Sequence, residues 1–197
     1  MSDDAFVREF QRRAGLVPDG DAGPKTMAAL NRVLPADRPR GGLTRIIWHW
    51  TAGAHVVTSV DRAHYHYIIG GDGSVVPGDH VPQDNISTAD GAYAAHTLNC
   101  NTGAIGVAVA GMMGARERPW DAGAFPIREP QISALIALTA DLCRRHGIDV
   151  GPTTTLSHAE VQPTLGITQR GKWDITWLPG MIGPGDPVAV GNVLRGR

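Results

Sequence analysis

Apolar positions along this chain recur in two rhythms, and the change between them marks where helix gives way to sheet. Within 3–34, Phe6, Val7, Phe10 and Leu16 fall near helical spacing, and Pro18-Asp19-Gly20 turns the chain before a second short helix over 25–33. Pro35-Ala36-Asp37-Arg38-Pro39-Arg40-Gly41-Gly42 suits no packed element and reads as a linker. The division predicted is a short helical segment with its linker over 1–40 and a main domain over 41–197. Beyond it, 45–50 (RIIWHW), 65–69 (YHYII) and 105–110 (IGVAVA) are unbroken apolar or β-branched runs, as expected for strands covered on both faces. Gly71-Asp72-Gly73 predicts a hairpin into a shorter strand over 74–76, and Thr153-Thr154-Thr155-Leu156-Ser157 reads as another extended segment. Over 130–146, Ile132, Leu135, Ile136, Thr139, Leu142 and Cys143 trace one helical face, opened by Pro130 and closed by Gly147. That helix is expected to cover the sheet, which makes the main domain α/β.

Composition narrows the possibilities further. A chain of 197 residues supports one well-buried domain with a small appendage, and 42% hydrophobic with 19% charged residues is the make-up of a folded globular protein. A formal net charge of -1 carries no footprint for nucleic acid. No run approaches the ~20 apolar residues of a membrane span, so no membrane insertion is expected. Met1-Ser2-Asp3-Asp4 is acidic where a signal peptide is basic, so synthesis in the cytoplasm without a signal peptide is expected. Cys100 and Cys143 form no Cys-x-x-Cys pair and read as reduced thiols.

The candidate chemistry lies in the histidines, of which there are eight. His49 ends the first predicted strand and is followed by the small residues Thr51-Ala52-Gly53, which let a ligand approach the backbone. His158 follows the extended segment ending at Ser157, and Asp174 stands two residues after Lys172, on the same face if Gly171-Lys172-Trp173-Asp174 is extended. Two neutral imidazoles and a carboxylate with one position open to water form a ligand set of catalytic zinc. Spacing alone does not assign it, because the three lie far apart in the chain. Glu160 competes with Asp174, since it shares a face with His158 if that stretch is a strand. His55, His64, His66 and His80 read as packing or surface residues, with His66 facing the core if Tyr65 faces a groove. Trp48, Trp50, Trp173 and Trp177 are expected to wall the site, and Trp120 to lie on a loop beside it.

Ile46-Ile47-Trp48-His49-Trp50-Thr51-Ala52, His64-Tyr65-His66-Tyr67-Ile68-Ile69 with Asp72-Gly73, Ala95-His96 with Asn101 and Ile105-Gly106-Val107, Ser157-His158, and Lys172-Trp173-Asp174 occur in one order. In that order the chain from Thr44 to Trp177 resembles the zinc-dependent N-acetylmuramoyl-L-alanine amidases, a family that includes phage endolysins and peptidoglycan recognition proteins. The resemblance implies a central mixed β-sheet flanked by helices, with zinc in a surface groove. It implies His49, His158 and Asp174 as Zn2+ ligands, Tyr65 and Lys172 as catalytic residues, and His96 as a substrate-binding residue lining the groove. The implied substrate is bacterial peptidoglycan, cut between the muramic acid lactyl group and L-alanine, with the proton donor to the leaving amine left among Tyr65, Lys172 and solvent. Phe10-Gln11-Arg12, Gly15-Leu16-Val17-Pro18-Asp19-Gly20, Gly23-Pro24 and Thr26 resemble part of a peptidoglycan-binding helical module, here either a wall anchor or a cap on the main domain. The expectation is a monomeric endolysin of phage type that reaches the wall after release. The alternatives are a cytosolic amidase recycling muropeptides and a module that binds peptidoglycan without cutting it.

Overall fold

The computed structural model describes residues 7–8, 11–21, 26 and 42–197. The chain forms two compact units, Met1–Pro39 and Arg40–Arg197. In the first, residues 7–8 and 11–13 are helical, and the buried Gln11 ties down the turn that follows. Its amide nitrogen donates to Asp19 Oδ1 (2.6 Å), Asp21 O (2.9 Å) and Thr26 Oγ1 (2.8 Å), while its oxygen accepts from Gly20 N (2.9 Å). Thr26 is helical; the rest of the helix expected over 25–33 and the linker expected over 35–42, save Gly42, lie outside the described residues.

The second unit is built on a five-stranded mixed sheet. Its strands are β1 (Arg45–Trp50), β2 (Tyr67–Ile69), β3 (Val75–Pro77), β4 (Ala104–Val109) and β5 (Thr155–Ser157), arranged β3-β2-β4-β1-β5. β4 is central and buried throughout, which is why its sequence shows no polar alternation. It pairs in parallel with β1, setting His49 opposite Ala108, and with β2, setting Ile69 opposite Val109. β5 joins β1 in parallel, and β3 closes the hairpin with β2.

The strand expected from residue 65 begins instead at Tyr67, because Ser59–His64 forms a short helix, α1. Thr58 caps it: its hydroxyl accepts from Asp61 N, and Asp61 Oδ2 accepts from Thr58 N at 2.8 Å. No residue of α1 is buried, so it carries no apolar stripe by which a pattern could find it. The long helix α2 (Glu129–His146) covers one face of the sheet and ends at Gly147 with φ 63. Its buried Gln131 amide donates to Ala110 O (2.8 Å) and Ile69 O (3.2 Å), satisfying carbonyls where β4 and β2 end.

Alternation along β1 sorts its side chains. Ile46, Trp48 and Trp50 enter the main core beneath α2, where Trp48 Nε1 donates to Thr139 Oγ1 at 2.9 Å. Ile47 enters a smaller cluster with Cys100, Ala104, Leu156 and Val161. His49 shares the parity of Ile47, so Trp48 and Trp50 belong to the opposite face rather than to the walls expected around His49.

β5 does not run on past Ser157. It turns into α3 (His158–Leu165), with Ser157 as N-cap and Glu160 completing the capping box. His158 and Glu160 therefore share no strand face. The Glu160 side chain is fully buried; it accepts from Ser157 N and from Arg195 Nη2, both at 2.7 Å. Arg195, near the end of α4 (Pro187–Arg195), also donates to Thr155 O at 2.8 Å. Gly191 makes room for this pair, since a Cβ there would stand 2.2 Å from Glu160 Oε2. Removing either charge strands the other in the interior, at about 3–5 kcal/mol. Glu160→Ala is thus expected to lower Tm by roughly 10 °C, and the double variant with Arg195→Leu to fall short of the summed single losses, as thermal denaturation would record.

Candidate active site

Three unrelated parts of the chain deliver one cluster. His49 comes from the rigid central pair β1–β4, His158 is the first residue of α3, and Asp174 opens a turn after an irregular stretch. One donor atom from each lies within 4.8 Å of the others. Asp174 Oδ2 stands 3.6 Å from His49 Nδ1 and 3.7 Å from His158 Nδ1. All three side chains are buried, and among the described residues His49 Nδ1 has no hydrogen-bond partner, Asp174 lying beyond hydrogen-bond reach. A buried ring nitrogen without a partner is destabilising by about 1–3 kcal/mol unless its lone pair is given to something else. Two ligand atoms each ~2 Å from a shared tetrahedral ion lie ~3.3 Å apart, close to the separations here, so the donor set fits zinc in type and spacing.

The charge states suit that use. Burial pushes His49 down to about 4 against the pull of Asp174, leaving its ring neutral at ordinary pH. Burial pushes Asp174 up, but the two imidazoles outweigh it and hold the carboxyl below its usual range. A neutral imidazole and an ionised carboxylate are the forms that bind metal.

Asp174 is held in place by packing on its own segment. Trp173 stacks edge-on against Trp50 at 4.7 Å between ring centroids, and Trp120 packs on Trp173 and Trp177 at 6.3 and 5.3 Å. Trp120, expected beside the groove, therefore anchors its turn to this aromatic group. Ile175, immediately after Asp174, is fully buried with φ 61, a left-handed conformation that strains a β-branched residue by about 1–3 kcal/mol.

Tyr65, the residue that ends α1, is half-buried with its ring 5.1 Å from that of His49. Burial, then the charges of Asp174 and Asp61, raise its hydroxyl, so it stays protonated and can donate. Lys172 is exposed and borders a cavity of about 500 Å³ together with His158, His96, Asn101, Gln169 and Arg170. His96 edges that cavity but is 8% exposed, and each of its ring nitrogens faces a protein atom. His66 is buried, placed between Asn85 Oδ1 and Gly106 N.

Residues 39–180 match the family described as N-acetylmuramoyl-L-alanine amidase. The chain belongs to that family. Residues 5–30 match a putative peptidoglycan binding domain. No curated protein matches the chain. Among solved structures, it is similar to the N-acetylmuramoyl-L-alanine amidase LysC from Clostridium intestinale, at 20% identity and a TM-score of 0.45 over 74% of this chain and 81% of that one. It is also similar to the amidase AmiD from E. coli in complex with the substrate anhydro-N-acetylmuramic acid-L-Ala-D-gamma-Glu-L-Lys (21%, TM-score 0.44, covering 65% and 52%). A further match is the Ph2119 endolysin from a Thermus scotoductus bacteriophage (21%, TM-score 0.43, covering 68% and 82%).

Two residues of this amidase-family site carry no sequence signal of their own: Thr97 and Gln169, both buried beside the histidines. One signal was readable. Gly106 interrupts an otherwise apolar buried strand, and a Cβ there would stand 2.6 Å from the His96 ring.

The buried histidines also set a pH dependence. Burial holds His49 and His66 at about 4 and His96 well below its ordinary value, whereas all three titrate near 6.5 when unfolded. Between those values the unfolded chain binds more protons, so stability falls as pH drops. The urea midpoint of the metal-free protein is expected to decline steadily from about pH 6.5 toward about pH 4.5; a flat profile would show that these rings are not held neutral.

Proposed function

We propose that this amidase-family protein hydrolyses peptidoglycan at the amide between the lactyl group of N-acetylmuramic acid and L-alanine, using zinc held by His49, His158 and Asp174. The observation that carries the reading is the buried, unpartnered His49 Nδ1 beside an ionised Asp174 and a second imidazole. A zinc ion held there supplies Lewis acidity, which acidifies water and polarises a carbonyl. The chain's own residues do the rest. Lys172, exposed on the cavity rim, brings a cation to the charge that develops on the carbonyl oxygen. Tyr65, kept as a neutral hydroxyl against His49, donates a hydrogen bond that orients water or the carbonyl. Asp174 and its aromatic supports hold the ligand geometry fixed while Lys172, two residues away, stands exposed on the cavity.

The pairing of an amidase domain with a stretch of the peptidoglycan-binding kind favours intact wall over small soluble fragments as substrate, as for an endolysin of phage type. The first unit adds wall affinity rather than chemistry. Deleting the residues before Gly42 is expected to weaken retention on insoluble sacculi and to spare turnover of a soluble muropeptide; loss of both would make that unit a cap on the fold.

Mass analysis of digested sacculi is expected to show new alanine amino termini without new reducing sugars. A chain that bound the wall but released neither would be a recognition module. Chelation is expected to abolish cleavage and zinc to restore it. Asp174→Ala is expected to lose zinc and rate together, whereas Lys172→Ala retains zinc and slows by ~10²–10³. Full zinc occupancy in Asp174→Ala would remove that residue from the ligand set.

A further inference from the structure

Each imidazole of the candidate metal site is met from behind by a buried partner, and the two arrangements have the same effect on the ring. His158 Nε2 lies 2.9 Å from Gln169 Oε1. The orientation of that amide is forced, because Gln169 Nε2 faces Leu98 O at 2.9 Å and a carbonyl only accepts. Gln169 must therefore present oxygen to His158, so His158 carries its proton on Nε2 and turns a bare Nδ1 toward Asp174. The Gln169 backbone N donates to Gln162 Oε1 at 2.8 Å, which pins the residue to α3 itself.

A parallel chain of constraints runs through the other ring. Among the described residues His96 Nε2 faces only Ala104 O, at 3.4 Å, so its proton sits there and its Nδ1 is an acceptor. That Nδ1 lies 3.2 Å from His49 Nε2 and 2.8 Å from the Thr97 hydroxyl, both of which can donate to it. His49 Nε2 thus holds the proton, and the lone pair falls on Nδ1, the atom left without a partner. His96 is itself well fixed. Asn101 Oδ1 accepts from His96 N and Thr97 N at 3.0 and 2.8 Å, and the missing Cβ of Gly106 gives the ring its place.

We propose that Gln169 and the His96–Thr97 pair are positioning residues that lock His158 and His49 as Nε2–H tautomers, so that both rings offer Nδ1 to the ion, and that they set the affinity of the site for zinc. This rests on the zinc reading above. It gives His96 a task toward His49 besides the substrate contact that the resemblance implies.

The test uses zinc-loaded protein, with zinc affinity measured by chelator competition and imidazole protons observed by nitrogen-15 NMR. Wild type should show slowly exchanging ring protons on Nε2 of both His49 and His158. Gln169→Met, close in shape but without the acceptor, should weaken zinc binding by about 10–100-fold and speed exchange at His158 alone. His96→Leu should weaken it similarly, with the change at His49. Ring protons on Nδ1 in wild type, or wild-type zinc affinity in Gln169→Met, would overturn the proposal. Unchanged zinc affinity in His96→Leu with only a raised KM would overturn it for His96. His49→Ala separates the two readings. It loses zinc if His49 is a ligand, and wild-type affinity in that variant would sink the zinc reading itself.

Discussion

Three donor atoms that would each be solvated in the unfolded chain are brought together out of water, with one lone pair left unpartnered, and the rest of the second unit is organised to sustain that. A neutral imidazole nitrogen facing a carboxylate in a dry site is unfavourable unless a cation is shared between them. The fold meets the geometric half of this demand with its stiffest parts. His49 sits on β1, hydrogen-bonded on both sides by β4 and β5, and His158 follows directly from the last residue of β5. Asp174 has no regular element beneath it. Its position comes from stacked tryptophans on either side of the segment and from a strained Ile175 that the surrounding core overrides.

Support for His158 extends well beyond its neighbours. Being first in α3, it is placed by whatever places the start of that helix, and the Ser157–Glu160 box does so with both partners buried. Glu160 is in turn tied to Arg195, whose guanidinium also holds Thr155 O on β5. A carboxylate that looks like a rival metal ligand in one dimension is thus, in three, a brace for the helix start that places His158. Each of its oxygens is engaged, one by the Ser157 backbone and the other by Arg195, away from the three-residue cluster.

What could be read in advance follows from how local each signal is. β1 and β4 announced themselves because covered parallel strands are apolar without interruption, and α2 because one face of it meets the core over five turns. α1 gave no such stripe, having no buried residue, although Thr58 and Asp61 held the spacing of a capping box. Ser157 and Glu160 hold the same spacing at the start of α3, yet on sequence alone the stretch reads as a continued strand. The ligand candidates came from several short motifs in one order. Thr97 and Gln169 had no motif, because what singles them out is a ring nitrogen brought to them from 48 and 11 residues away.

Burial and exposure then divide the labour within a few residues. Asp174 and Lys172 differ by two positions, yet one is buried among aromatic and imidazole rings and the other borders an open cavity. A ligand must not move, because first-shell geometry sets metal affinity; a cation that answers transient charge must reach an incoming substrate and let the product go. Placing both on one irregular segment works only if its aromatic anchors begin immediately after Lys172, and they do, at Trp173. On the roles proposed above, the order Lys-Trp-Asp sets an exposed cation, an aromatic anchor and a buried ligand side by side.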